Sequence, residues 1–174
     1  MQDWKDQAEK NNLVIRDNGK CQLCGSETKK GLFECVEKSN YITHKLNHDD
    51  GIRFMTIFLC VDAHALQHSE IHGRWNNHFH LTRLNLMLNV NIKWNYKLSP
   101  LLSEVVNSYK IIHPDERIKA PEKEKRGVVT ITDVEKSETD AEYIELVTKW
   151  AKGVYNSFNE GHEIASRISH LFIK

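Results

Sequence analysis

The pattern of apolar and polar positions predicts short strands in the first third of the chain. Residues 32–36 and 41–44 are short apolar runs, and residues 52–60 are rich in β-branched and aromatic side chains, which is typical of strands. Residues 61–72 are predicted as a helix that Gly73 ends, since glycine commonly follows a helix C-terminus. This part of the chain therefore favours a small module of strands and one helix.

The remaining two thirds of the chain are predicted to be mainly helical, which makes the fold class α+β. Leucines at helical spacing predict a helix over about residues 76–90, and Pro100 is predicted to begin another that ends near residue 112. A charged, proline-containing segment at 113–127 is predicted as a linker or an exposed loop. Residues 128–132 are a strand candidate, and the apolar spacing from 140 to 173 is helical again.

Three parts follow from this organisation. Residues 1–112 form a first domain, residues 113–127 connect it, and residues 128–174 carry a C-terminal strand and helices. The aromatic side chains of the last part favour a core or a dimer face, so it is predicted to act as an oligomerisation element. The expected partner there is a second copy of the chain or another protein.

The net charge gives no argument for nucleic acid, because Lys and Arg together number 24 and so do Asp and Glu. The local distribution of charge does favour a nucleic-acid partner. Residues 71–103 contain no acidic side chain, but they contain Arg74, Arg83, Lys93 and Lys97. These cations are predicted to contact phosphates, and nearby aromatic residues are either stacking faces or core. The predicted partner is therefore nucleic acid, with DNA as the first expectation.

The cysteines are candidates for a zinc site. No membrane span or signal peptide is expected, so the predicted location is the cytoplasm, where a Cys-x-x-Cys pair favours metal over disulfide. Cys21 and Cys24 lie in a glycine-flanked turn that can aim both thiols at one ion. Cys60 and His64, four residues apart, are predicted to supply the other half. Cys35 is a rival fourth ligand, and the alternative is that Cys35 and Cys60 are small buried apolar side chains.

The histidines predict a further role for the same region. His64, His68 and His72 lie at intervals of four residues on one face of the predicted helix. His44 closes a predicted strand, where its side chain can project into a cleft. His44 or His68 is therefore predicted to have a catalytic or substrate-facing role.

The order of these residues resembles a known family. A Cys-x-x-Cys pair, a predicted strand ending in His44, and the segment Leu-Cys-Val-Asp-Ala-His-Ala-Leu-Gln-His at 59–68 look like the zinc-stapled HNH endonucleases. The resemblance covers roughly residues 18–72. It implies a small ββα-metal zinc-finger module followed by a mainly helical C-terminal part.

The activity that the resemblance implies is metal-dependent hydrolysis of phosphodiester bonds in nucleic acid. His44 would act as the general base, and His68, alone or with His64, would hold Mg²⁺ or another divalent ion at the phosphate. The structural zinc would be held by Cys21, Cys24 and Cys60.

The chain departs from the family pattern at two informative positions. Ala63 stands where a fourth thiol is usual, so His64, Cys35 or Asp62 must complete the zinc site. Met55 stands where the family usually has an asparagine. The alternative function is a non-catalytic, zinc-stabilised regulator or inhibitor that binds nucleic acid or protein, of the kind carried by phages or mobile elements.

Overall fold

The computed structural model describes the backbone of residues 4–45 and 51–174 and the side chains of residues 4–43 and 56–174. The structure is 65% helical, and the described residues contain no β-strand. The predicted α+β fold with a ββα-metal module is therefore wrong, and the fold is mainly helical. The described α-helices are α1 (Trp4–Lys10), α2 (Gly31–Lys45), α3 (Gly51–Gln67), α4 (Asn76–Leu88), α5 (Leu98–Ile112), α6 (Ile131–Glu135), α7 (Asp140–Ser157) and α8 (His162–Ile173).

Helix α2 replaces the two strands predicted at 32–36 and 41–44. Its buried side chains include Leu32, Cys35 and Ile42, with Ser39 between them. They are spaced three, four and three residues apart, which is the period of a helix with one buried face. The polar residues between the two apolar runs are therefore the outer face of one helix.

Helix α3 merges the strand predicted at 52–60 with most of the helix predicted at 61–72. From residue 56 to residue 68 every side chain is buried except Leu59 and Val61, which are partly exposed. A helix that is surrounded by protein needs no polar face, so its sequence carries no clear helical period. A short apolar run of this kind is compatible with either a strand or a buried helix.

Helix α3 is the centre of the fold. It packs against α7, α4 and α2, and α4 in turn packs against α8 and α5. The interior between these helices is filled by large, fully buried side chains, among them Leu66, Leu81, Leu102, Trp150 and Phe158. None of the described helices combines the length and the apolar character needed to cross a membrane.

The segment between α5 and α6 packs on this core. It contains a short 3-10 turn at Lys123–Lys125, and its Ile118 and Arg126 side chains are buried. The strand candidate at 128–132 instead leads into α6, where the N-cap Thr130 N–H donates to the Asp133 carboxylate at 2.8 Å. The division into separate domains and the oligomerisation role of residues 128–174 stay predictions.

Candidate metal centre

The first two ligands come from an irregular turn that spans residues 17–31, here named the cysteine turn. Two backbone hydrogen bonds between Gly19 and the segment 29–31, at 3.0 and 3.1 Å, close its base. At its tip the Gly25 N–H donates to the Cys21 carbonyl oxygen at 2.8 Å. Gly25 has a φ of 74°, in the left-handed region that favours glycine. This conformation brings the thiols of Cys21 and Cys24 together.

The third and fourth ligands come from two helices. Cys35 lies on the buried face of α2, and His68 directly follows the last residue of α3. His68 Nδ1 lies 2.7 Å from the His64 carbonyl oxygen, and an N–H donated there leaves Nε2 free to act as a ligand. His68 Nε2 lies 3.4 Å from the Sγ of Cys21 and 3.4 Å from the Sγ of Cys35.

The distances among the four ligand atoms are compatible with a single bound metal ion. The three Sγ atoms of Cys21, Cys24 and Cys35 and a ring nitrogen of His68 all lie within 4.8 Å of one another. Zinc bonds of about 2.3 Å to sulfur and about 2.0 Å to nitrogen place two sulfurs about 3.8 Å apart, and sulfur and nitrogen about 3.5 Å apart. The Cys24 and Cys35 Sγ atoms are 3.7 Å apart, and all cysteines are free thiols. The four residues are therefore close enough to hold a metal ion.

The electrostatics of the cluster also suit a cation. Hydrogen bonds with Cys24 and Cys35 hold the pKa of the Cys21 thiol far below its usual value. Hydrogen bonds with Cys21 and Cys24 raise the pKa of the Cys35 thiol. Burial opposes a charge on His68, but the negative charge at Cys24 and the hydrogen bond with Cys21 raise its pKa to about 10. A bound dication would take the place of the protons that these thiols and the imidazole share.

Cys60 and His64, predicted as the second half of the zinc site, do not belong to this cluster. Cys60 lies eight residues before His68 along α3, which is about 12 Å at 1.5 Å per residue. It is fully buried, and burial raises its pKa to about 12. His64 lies beside the cluster, with its ring stacked 3.9 Å from that of His68 and its Nε2 3.8 Å from Cys35 Sγ. Burial holds the pKa of His64 well below its usual value, so it is neutral.

The two histidines predicted for catalysis have different positions. His68 has no exposed surface and directs Nε2 at the thiols, so it faces the cluster and not a substrate. His44 lies within α2 and not at the end of a strand, and its side chain is outside the described residues. A catalytic role for His44 stays a prediction.

The four cations predicted to contact phosphates divide into one buried and three exposed residues. Arg83 is buried and donates to Asp62, with Nε 2.9 Å from Oδ2 and Nη2 2.5 Å from Oδ1. This ion pair removes Arg83 from the predicted nucleic-acid surface and Asp62 from the candidate zinc ligands. The exposed cations are Arg74, Lys93 and Lys97.

Gln67, directly before His68, is a positioning residue that the sequence prediction missed. It is fully buried, and its Nε2 donates to the carbonyl oxygens of Arg126 and Val129 at 3.1 and 3.0 Å. Its Oε1 accepts from Trp150 Nε1 at 2.9 Å. The end of α3 is thereby fixed to the segment before α6 and to α7. A strongly polar side chain within a long buried stretch was the available signal.

The fold and the site together define a mainly helical protein with a candidate metal centre of three cysteines and one histidine. The chain belongs to DUF5946, a family of unknown function whose model matches residues 19–159. The matched region begins at the cysteine turn and contains all four cluster residues. Comparisons with curated proteins and with solved structures gave no match.

Proposed function

We propose that this protein is a non-catalytic, zinc-stabilised binding protein. One zinc ion, held by Cys21, Cys24, Cys35 and His68, fastens the cysteine turn to the helical core. The proposal rests on the close approach of four protein ligands. His68 Nε2 lies 3.4 Å from Cys21 Sγ, and the Sγ atoms of Cys24 and Cys35 are 3.7 Å apart. Thiolate-rich tetrahedral sets favour zinc over harder divalent ions. A catalytic zinc keeps one position open for water or substrate, and four protein ligands leave none.

The position of the cluster supports a structural role. It joins three parts of the chain that are distant in sequence, namely the cysteine turn, α2 and the end of α3. The turn contains no helix or strand that would stabilise it. One side-chain hydrogen bond to the helical part joins Ser26 Oγ and Thr132 Oγ1 at 2.8 Å. Zinc binding to such a turn contributes directly to folding free energy, because the unfolded chain does not present the four ligands together.

The endonuclease activity implied by the HNH resemblance stays a prediction with less support than the binding role. That activity depends on a ββα-metal finger, and strands are absent from residues 4–45 and 51–174. It also assigns His68 to a catalytic ion, whereas His68 Nε2 faces two thiols. A second cluster of three or more metal-type ligands does not occur among the described side chains. These observations favour the alternative of a binding protein or regulator.

Metal analysis and a nuclease assay on the same preparation test the proposal. We expect one zinc per chain after extensive dialysis and no nicking of supercoiled plasmid by the zinc-loaded protein with added Mg²⁺ or Mn²⁺. His44→Ala is the matched control, because a nuclease of this kind requires His44 as its base. Nicking that His44→Ala abolishes, at unchanged zinc content, would overturn the non-catalytic proposal.

A further inference from the structure

A cavity of about 420 Å³ is lined in part by the residues that directly follow His68 in the sequence. It lies between the 3-10 turn Ser69–Ile71, the residues before and in α4, and the segment 117–120. Its volume falls within the range of small-molecule sites. No residue of the metal cluster lines it, so it is separate from the zinc site.

The charges around this cavity are strongly unbalanced. Arg74, Arg117 and Lys119 line it, and none of the three makes an ion pair with another described residue. The one carboxylate in the lining is Glu70. Both of its oxygens accept from Arg126 at 2.7 Å, and the Arg126 guanidinium is buried. Three positive charges at one concave surface are therefore left without an ion-pair partner among the described residues.

The Arg117 guanidinium is held in place but not satisfied. Its Cζ lies 3.9 Å from the centroid of the Trp75 ring, which is a close cation–π stack. Its Nη1 is buried and has no hydrogen-bond partner, although buried donors in native proteins are nearly always paired. Burial and the nearby positive charge of Arg74 lower the pKa of Arg117, and the carboxylate of exposed Asp115 opposes that effect. An anion in the cavity would supply the missing counter-charge.

His72 adds a further unsatisfied group. It also lines the cavity, and its Nε2 is buried without a hydrogen-bond partner. The amide groups of the lining are already used within the protein: Asn77 Nδ2 donates to the Ile118 carbonyl at 3.1 Å, and Asn11 Nδ2 donates to the Glu70 carbonyl at 2.7 Å. The cationic side chains Arg74, Arg117 and Lys119 are therefore the charged donors of the cavity.

We propose that this cavity, the phosphate cavity, binds the terminal phosphate of a phosphomonoester. Its free cations are Arg74, Arg117 and Lys119. Guanidinium groups bind phosphate through paired, parallel hydrogen bonds, and a dianion matches three positive charges better than a singly charged carboxylate does. The cavity exceeds the size of a bare phosphate, so the rest of the ligand has room beside it. This inference goes beyond the zinc site and does not depend on it, so each can fail while the other holds.

Calorimetric titration of the zinc-loaded full chain at fixed ionic strength tests the phosphate cavity. The probes are inorganic phosphate, adenosine monophosphate, and one oligonucleotide with and without a 5′-phosphate. Arg74→Gln and Arg117→Gln should each weaken binding at least about tenfold, because each removes a charge-assisted hydrogen bond. The matched control is Lys93→Gln, which removes an exposed charge outside the cavity and should change the affinity less than about twofold.

The probes separate the sources of the phosphate. Saturable binding of adenosine monophosphate without preference for the 5′-phosphorylated oligonucleotide indicates a small-molecule ligand, and a clear preference for the phosphorylated oligonucleotide indicates a nucleic-acid end. The proposal is overturned if no probe binds saturably, if both oligonucleotides bind equally while the small phosphates do not, or if Lys93→Gln weakens binding as much as Arg74→Gln. Arg74 is exposed, so its variant decides the matter even if Arg117→Gln disturbs the stack on Trp75.

Discussion

Removal of the Asp62 carboxylate should destabilise the protein strongly. Asp62 and Arg83 have side-chain exposures of 0% and 6%, and the carboxylate also accepts from His80 Nδ1 at 2.6 Å. In Asp62→Ala the Arg83 cation loses its counter-ion, although it still packs against the Phe58 and Phe79 rings. Breaking one side of a buried ion pair typically costs about 3 to 5 kcal/mol. That is a large share of the roughly 5 to 15 kcal/mol that stabilise a typical domain.

Urea unfolding of the zinc-saturated protein, followed by far-ultraviolet circular dichroism, measures this cost. For a domain of this size, about 3 to 5 kcal/mol corresponds to a fall of roughly 6 to 20 °C in Tm. The matched control is Glu135→Gln, which removes a carboxylate from the Lys38 ion pair at side-chain exposures of 21% and 40%. We expect that variant to lose less than about 1 kcal/mol, because exposed ion pairs are screened by solvent.

The double variant Asp62→Leu with Arg83→Met isolates the ionic contribution. Replacing both partners of a buried pair by apolar side chains is often close to neutral, so most of the loss in Asp62→Ala should be recovered. A cost for Asp62→Ala no larger than that of Glu135→Gln would refute the account of Arg83 as a buried structural cation.

Three further predictions concern the metal ligands, the cysteine turn and the buried histidine of α4. Cys35→Ala should lose the zinc and Cys60→Ala should keep it, as measured by native mass spectrometry; the reverse result would restore the zinc site predicted from spacing alone. Gly31→Ala should lower the free energy of unfolding by about 2 to 4 kcal/mol, because φ is 56° there and a Cβ would collide with a backbone carbonyl oxygen. Gly73→Ala, where a Cβ meets nothing within 4 Å, should cost less than about 1 kcal/mol in the same urea assay, and equal costs would contradict the role of Gly31. Burial lowers the pKa of His78 to about 4, so the unfolded chain binds more protons than the native protein between that value and about 6.5. Lowering the pH from 7 to 5.5 should therefore reduce the free energy of unfolding of the unsubstituted protein by about 1 kcal/mol more than it reduces that of the His78→Gln variant. Identical pH dependence of unfolding for the two proteins would show that His78 is not held neutral by burial.

Helices in the second half of the fold could be predicted from the sequence because α5, α7 and α8 each have a solvent-exposed face and because α4 contains leucines at helical spacing. The leucine spacing predicted a helix over about residues 76–90, and α4 spans Asn76–Leu88; Pro100 and the region that follows correspond to α5, Leu98–Ile112. The strand predicted at 52–60 was wrong because α3 is buried on nearly every side. Its sequence therefore contains β-branched and aromatic residues without a helical period. Burial by the surrounding helices, and not local propensity, determines the secondary structure of that segment.

The metal site could be predicted only in part for a related reason. Cys21 and Cys24 are close in sequence, so their spacing alone indicates a shared ligand role. Cys35 and His68 meet because α2 packs on α3, a contact between residues far apart in sequence that no local spacing reveals. The local pair Cys60 and His64 was favoured in their place, since four residues on a helix share a face. Both residues do lie on one helix, α3, but Cys60 is too far along it from His68 to reach the cysteine turn.

X-ray absorption at the zinc edge of the purified full chain tests the central claim most directly. A zinc ion held by Cys21, Cys24, Cys35 and His68 should show three sulfurs at about 2.3 Å and one imidazole nitrogen at about 2.0 Å. The same shell should persist in Cys60→Ala and in His64→Gln, since neither residue is a ligand. A shell of four sulfurs, or one with an oxygen from water in place of a protein ligand, would contradict the closed structural zinc site on which this account depends.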